Sequence, residues 1–333
     1  MQRDNSQFFK TWCNKVLTSS WEVEMLNRPF KGVIAAPYLP MYDNSEIDWA
    51  TLERYMDWLA SQNPAGIAMN MDASEVISLT ENEQEQVIKI CKSVLQKKVP
   101  FLSGIVAGST KMAAEKAEKY AKLGVDGFPV FPPFPTFSGA PVPKEMITKY
   151  HKAIAESANL PIICFQFPKG WGPDYTPEIL ESISNIPQVI AIKEASFDVS
   201  QTLQTIEVAS TLKNPIGVLT GSDTFIFEAI IMGCSGALIG FAGTATKELV
   251  SMDYEARHGN IDGAKKIWAK LGPIARLCWS NPIRDFRPRM KEVLKWQGLF
   301  PSAMTREPQL GISDDERRMI ISVCEKQGLD QVS

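Results

Sequence analysis

The sequence predicts an α/β chain folded as a closed (β/α)8 TIM barrel with a C-terminal helical extension. Three observations carry that prediction. From Lys31 onward short apolar segments alternate with amphipathic helical ones, the pattern of parallel strands joined by crossover helices. Eight such units fit into about 230 residues, a usual size for a closed barrel. No Gly-rich nucleotide turn opens the series, as a doubly wound open sheet of this size would normally show.

The eight strand segments are Gly32–Ala36, Gly66–Asn70, Val99–Val106, Gly127–Phe131, Pro161–Phe167, Val189–Lys193, Pro215–Thr220 and Gly236–Phe241. The helices between them have their own signatures. Asp48 to Ser61 carries Leu52, Tyr55, Met56 and Leu59 at helical spacing, and Glu81 to Lys97 repeats the pattern with Val87, Ile90, Cys91 and Val94. Thr80 and Ser109 are polar helix starts, Gly124 stops the helix that runs through Lys122, and Thr176-Pro177-Glu178 opens another with proline in its first turn. Beyond Gly259 only helical patterns remain, at Asp262 to Trp279, Arg287 to Gln297 and Asp314 to Gln327. The expected division is an N-terminal extension over 1–30, the barrel over 31–259 and a helical layer over 260–333. Residues 1–30 cover the barrel bottom or join a subunit contact, and the sequence does not choose between these.

The 333 residues are 44% hydrophobic, enough for a sizeable core. Thirty-five basic and 38 acidic residues give a net charge of −3 without long runs, which excludes electrostatic capture of nucleic acid or anionic lipid and leaves small molecules as expected partners. The six cysteines, Cys13, Cys91, Cys164, Cys234, Cys278 and Cys324, form no CxxC pair, so they are expected to be buried thiols in a reducing compartment. Met1 to Trp21, with Phe8, Phe9 and Trp12, has no apolar run of signal or membrane-span length, and a cytoplasmic location follows as an expectation. His151 and His258 lie among charged residues and are expected at the surface.

In such barrels chemistry sits at the C-terminal ends of the strands. The sixth strand ends Ala191-Ile192-Lys193, and a lysine closing an apolar strand becomes a nucleophile where an apolar wall disfavours its charge. Met69, Met71, Phe131, Phe165 or Phe167, and Leu238 are candidates for that wall, with only some facing inward because strand residues alternate. The competing reading pairs Lys193 with Glu194 at the barrel rim. Gly108-Ser109-Thr110 lacks the spacing of a phosphate loop.

Several local motifs occur in a telling order: Gly66 to Thr80 (GIAMNMDASEVISLT), Gly104 to Thr110, Ile190-Ala191-Ile192-Lys193-Glu194-Ala195-Ser196, Gly221-Ser222-Asp223, and Gly233 to Gly240 (GCSGALIG). Over roughly Lys31 to Gly298 the chain resembles the dihydrodipicolinate synthase and N-acetylneuraminate lyase family of class I aldolases and dehydratases. The resemblance implies that Lys193 forms an imine with a small 2-keto acid, without metal or organic cofactor. It also implies a homo-oligomer, dimer or tetramer, although the proline-rich loop from Pro132 to Pro143 offers no tyrosine to cross between subunits.

The departures from the family pattern are specific. The GTTGE loop that holds the keto-acid carboxylate reads Met71-Asp72-Ala73-Ser74-Glu75, so carboxylate binding falls to the Ala73 and Ser74 amides and the Ser74 hydroxyl. The Tyr-Asn-x-Pro of the fifth strand reads Phe165-Gln166-Phe167-Pro168, and phenylalanine cannot relay a proton. Acid and base duties then move to Asp72, Glu75 or water. The plainer readings make Asp72 a turn cap, Glu75 a rim salt bridge and Asp223 a helix N-cap. Phe165, Ser222, Asp223 and Leu238 complete the substrate-side candidates, and Gln166 is expected to point away from the barrel axis. Arg284, Arg287 and Arg289, near Asn281-Pro282, either grip a partner subunit's loop or solvate a C-terminal helix, and the second is the expectation. The function indicated is a Schiff-base lyase, aldolase or dehydratase. A hydrolytic deaminase of a cyclic imino acid using the same lysine, and a non-catalytic keto-acid-binding protein, stay open as alternatives.

Overall fold

The computed structural model describes residues 28–96, 98–138, 142–168 and 170–332. Eight parallel strands form one sheet in the order β3-β2-β1-β8-β7-β6-β5-β4. They are β1 Gly32–Ala35, β2 Gly66–Met69, β3 Phe101–Ser103, β4 Phe128–Val130, β5 Ile162–Gln166, β6 Val189–Glu194, β7 Gly217–Thr220 and β8 Gly236–Ile239. Parallel bridges Leu102–Gly127 and Ile105–Val130 close the ring between β3 and β4. That seam is thin because Pro129 has no amide to donate; the Ile105 amide donates to the Pro129 carbonyl at 2.9 Å, and the Phe131 amide to the Ile105 carbonyl at 3.1 Å. The third strand is accordingly shorter than its apolar run Val99–Val106.

The helices that follow the strands are α1 Trp49–Ser61, α2 Glu81–Leu95, α3 Thr110–Lys122, α4 Lys144–Ala158, α5 Pro177–Ser184, α6 Val199–Thr211, α7 Ile226–Met232 and α8 Thr246–Arg257. Their starts are those the sequence marks. Asp48, Ser109 and Thr176 accept first-turn amides, and Thr80 with Glu83 completes a capping box at α2. Three further helices, α9 Ile261–Cys278, α10 Phe286–Trp296 and α11 Asp314–Gln327, lie beyond the barrel units. No helix among the described residues is long and apolar enough to cross a membrane.

Alternation along each strand divides the apolar residues into two cores. Ile34, Ala68, Leu102, Ile163, Phe165, Ala191, Leu219 and Leu238 fill the barrel interior. Val33, Ile67, Met69, Cys164, Ile192, Val218 and Ile239 face outward and pack with the helices. Phe30 joins the inner core, and the Arg28 guanidinium donates to the Ser184 and Val189 carbonyls at 3.0 Å each, so residues 28–30 plug the bottom of the barrel. Residues 1–27, with Cys13 and the aromatic residues Phe8, Phe9 and Trp12, lie outside the described residues; the other five cysteines are buried free thiols.

The surface expectation for His151 fails. His151 is fully buried on the inner face of α4, its Nδ1 2.8 Å from the Ile147 carbonyl and its Nε2 without a partner among the described residues. Its charged neighbours Lys149 and Lys152 occupy other faces of the helix, which a tally of nearby charges does not register. Burial lowers the imidazole to about 4. His258 is exposed and stacks on Tyr254.

Candidate functional site

Lys193 occupies an inward position near the C-terminal end of β6, in register with Phe165 of β5 and Leu219 of β7. It is 8% exposed, and its Nζ lies 3.9 Å from the centroid of the Phe165 ring. Gly221 leaves room for it: a Cβ there would come within 2.7 Å of Lys193 Cε. Glu194, the next residue, faces the outer layer, where Thr202 donates to Oε2 at 2.5 Å and the Ser196 amide to Oε1 at 3.0 Å. Pleating therefore separates Lys193 from Glu194, and the rim-pair reading fails. Gln166 turns outward as expected, accepting from the Tyr175 amide at 3.3 Å.

Lys193 opens onto a cavity of about 650 Å³ at the C-terminal mouth of the barrel. Its deep walls are Ala36, Met71, Phe131, Phe165 and Asp223, and the C-terminal layer supplies Trp279, Ile283, Arg284, Phe286 and Arg287. Met69, considered as wall, packs outside the barrel, and Leu238, though inward, lies beneath the cavity floor. Desolvation lowers Lys193 to about 8, against the pull of the Asp223 and Asp72 charges. Desolvation also raises Asp223 to about 7, opposed by a hydrogen bond from the Phe241 amide and by the Lys193 charge. The two groups thus approach each other in proton affinity, a property common at sites of proton transfer. Burial raises the Tyr38 phenol, and the Asp223 charge raises it further.

The remaining candidates separate. Asp223 does not cap α7, whose N-cap is Phe225 without a side-chain bond; its Oδ1 accepts the Phe241 amide at 2.7 Å, holding the turn after β8. Ser222 is buried and accepts the Phe197 amide at 3.2 Å, away from the cavity lining. Ala73 lines the cavity, but the Ser74 hydroxyl turns back to accept the Met71 amide at 2.8 Å. The Ala73 and Ser74 amides themselves donate to no acceptor among the described residues. Asp72 lines the cavity rim and forms an ion pair with Arg287, whose Nε also donates to the Asp72 carbonyl at 2.8 Å. Glu75 is 6% exposed and does not reach the cavity: Lys291 Nζ sits 2.5 Å from its Oε1 and the Arg306 amide 2.9 Å from its Oε2.

The arginine cluster is also not a solvated helix face. Arg287 clamps the loop after β2, while buried Arg289 donates to the Ser280 carbonyl and pairs with Glu316 at 2.6 Å; only Arg284 is largely exposed. A sequence places these residues over 200 positions from Asp72 and Glu75, and the only signal was an excess of arginines beside Asn281-Pro282. The C-terminal layer is therefore part of the site wall.

Comparison with known proteins gives one consistent answer. Residues 29–327 match the family described as the dihydrodipicolinate synthetase family. A 4-hydroxy-tetrahydrodipicolinate synthase of Rickettsia bellii is 29% identical over 261 residues, 78% of this chain and 86% of the relative. The enzyme of the same name from Methanothrix thermoacetophila is 27% identical over 89% of this chain and 97% of its own. A crystal structure of dihydrodipicolinate synthase from Acinetobacter baumannii complexed with pyruvate superposes with a TM-score of 0.80 at 26% identity, over 90% of this chain and 99% of that one.

Proposed function

Because the chain belongs to the dihydrodipicolinate synthetase family, and is therefore a lyase of the class I aldolase type, we propose that it acts on a small 2-keto acid through an imine at Lys193. The observation that carries this reading is the buried lysine at the end of β6, facing an apolar cavity that lowers its proton affinity. A neutral amine attacks the keto carbon, water leaves, and the resulting iminium withdraws electrons from the neighbouring carbon. Loss of a proton there yields an enamine, the intermediate common to aldol cleavage, condensation and dehydration.

The Ala73 amide, which has no acceptor among the described residues and belongs to a residue that lines the cavity, fits a carboxylate, and Arg287 offsets the charge that Asp72 would present to it. Asp223 takes over proton transfer from the tyrosine that Phe165 replaces: it is buried, lines the cavity and is held within proton-exchange range of neutral pH. Glu75 has no part in this mechanism, because Lys291 and the Arg306 amide occupy its two oxygens. A cytoplasmic homo-oligomer belongs to the same proposal by family likeness, and light scattering reads its size.

Reductive trapping with pyruvate and borohydride, followed by mass spectrometry of the Lys193 peptide, tests the chemistry. A pyruvate-derived adduct on Lys193, absent from Lys193→Ala, is expected; a panel of small 2-keto acids that leaves Lys193 unmodified overturns the proposal.

A further inference from the structure

The cavity is chemically lopsided. Among the described residues that line it, the polar groups are the five charged side chains of Asp72, Lys193, Asp223, Arg284 and Arg287 and the indole N–H groups of Trp171 and Trp279; none is a serine, threonine, tyrosine, asparagine, glutamine or histidine. Arg287 is paired with Asp72, and Lys193 and Asp223 are assigned to the chemistry. A polyhydroxylated substrate placed here would leave several hydroxyls without partners, each at a desolvation cost. The volume of about 650 Å³ lies in the range of sites that enclose drug-sized ligands and far exceeds the need of a three-carbon keto acid.

The apolar surface is also ordered. From Lys193 outward the rings form a continuous series. Phe165 lies under the amine, Phe167 stacks on Phe165 with centroids 4.6 Å apart and planes 11° apart, and Phe137 meets Phe167 edge-on at 5.4 Å. Phe131 closes the side, 4.9 Å from Phe165 and 5.7 Å from Phe167. Trp171 stands at the mouth with more than half of its surface exposed. The i, i+2 spacing of Phe165 and Phe167 puts both rings on one side of the chain, so the row leads from the reacting nitrogen to solvent.

We propose that this row is a subsite for an aromatic ring, and that the carbonyl partner of the enamine is an aryl aldehyde. The inference rests on the Schiff-base reading of Lys193. A flat ring satisfies the offset and edge-to-face geometry that the Phe131, Phe165 and Phe167 faces offer, and it loses fewer internal rotations on binding than an aliphatic chain of equal area. The reaction balances without a further reactant. Pyruvate and Lys193 condense with loss of water, and the iminium methyl group loses a proton to give the enamine. The enamine carbon forms a bond to the aldehyde carbon while the aldehyde oxygen takes up a proton. Water then hydrolyses the imine, releasing a 4-aryl-4-hydroxy-2-oxobutanoate and the free lysine. The reverse sequence cleaves that acid to pyruvate and the aldehyde.

The test is condensation of pyruvate with benzaldehyde, cyclohexanecarbaldehyde or glyceraldehyde by the full chain, with products quantified by chromatography and mass spectrometry and borohydride trapping run in parallel. The expected result is kcat/KM for benzaldehyde at least a hundredfold above glyceraldehyde and several-fold above the cyclohexyl aldehyde. Phe167→Ser should shrink the benzaldehyde-to-glyceraldehyde ratio at least tenfold, mainly through KM for the aryl substrate. A Lys193 adduct without an aryl preference overturns the aryl subsite alone. A cyclohexyl aldehyde turned over as fast as benzaldehyde shows an apolar but not an aromatic subsite and overturns it too. No adduct at Lys193 removes the Schiff-base reading and the subsite with it.

Discussion

Lys193 Nζ stands 3.9 Å from the centre of the Phe165 ring, on neighbouring strands in direct register. The ring does two opposed things to the amine. Its bulk keeps water away, which favours the neutral form, and its negative face attracts the ammonium. Burial is the larger effect, because Lys193 ends at about 8. The free amine is the nucleophile, so the rate of pyruvate-dependent trapping should rise with pH through about 8 and level off above it. A rate still climbing towards the pH of an ordinary lysine, about 10.4, would show that the amine is hydrated.

Replacing the ring by an aliphatic side chain separates the two effects. Phe165→Leu keeps most of the apolar wall and removes the π face, so the ammonium loses support and the trapping midpoint should move down by up to about one pH unit. An upward movement in the same titration would mean that the smaller side chain admits water.

Asp223→Asn removes the buried carboxylate assigned to proton transfer while preserving its shape. Trapping of pyruvate at Lys193 should persist, and turnover through the enamine should fall by about 10² to 10⁴. Exchange of the pyruvate methyl protons with deuterated solvent, followed by NMR, reads that step directly; undiminished exchange would place the base elsewhere.

Lys291 and Glu75 form a buried ion pair with side-chain exposures of 0% and 4%. Removing one partner leaves an isolated buried charge, so Lys291→Met should cost about 3 to 5 kcal/mol in chemical denaturation. Adding Glu75→Leu should recover much of that loss. The doubly substituted protein should still trap pyruvate at Lys193; an intact fold without trapping would restore a role for Glu75 at the site.

His151 links stability to acid. Its folded value, about 4, lies below the ordinary 6.5, so the unfolded chain takes up a proton first as the pH drops. Stability should therefore be lost from about pH 6.5 down towards pH 4, by up to about 3 kcal/mol. Denaturation curves of His151→Leu should show a shallower fall over that window.

The barrel was legible because its signals are local and repeated. Gly32–Ala36 and Gly236–Phe241 read as strands without reference to each other, and Asp48, Thr80, Ser109 and Thr176 mark helix starts through hydrogen bonds that span three residues. Lys193 was legible for the same reason, as a charge closing an apolar strand. The partners in the ion pairs were not. Asp72 read as an acid/base group or a turn cap and Glu75 as an acid/base group or a salt bridge, and their partners Arg287 and Lys291 lie more than 200 residues away.

The sequence by itself determined the eight βα units and the position of Lys193 at a strand end, since a two-residue alternation and a capped helix are written in neighbouring residues. Only the tertiary structure decided which carboxylate keeps Lys193 company. Closing the barrel and folding the C-terminal layer over its mouth neutralises Asp72 and Glu75 with distant cations, while Asp223 is brought, desolvated, into the electrostatic field of Lys193. Burial and pairing depend on what surrounds a group in space, and no local spacing records that.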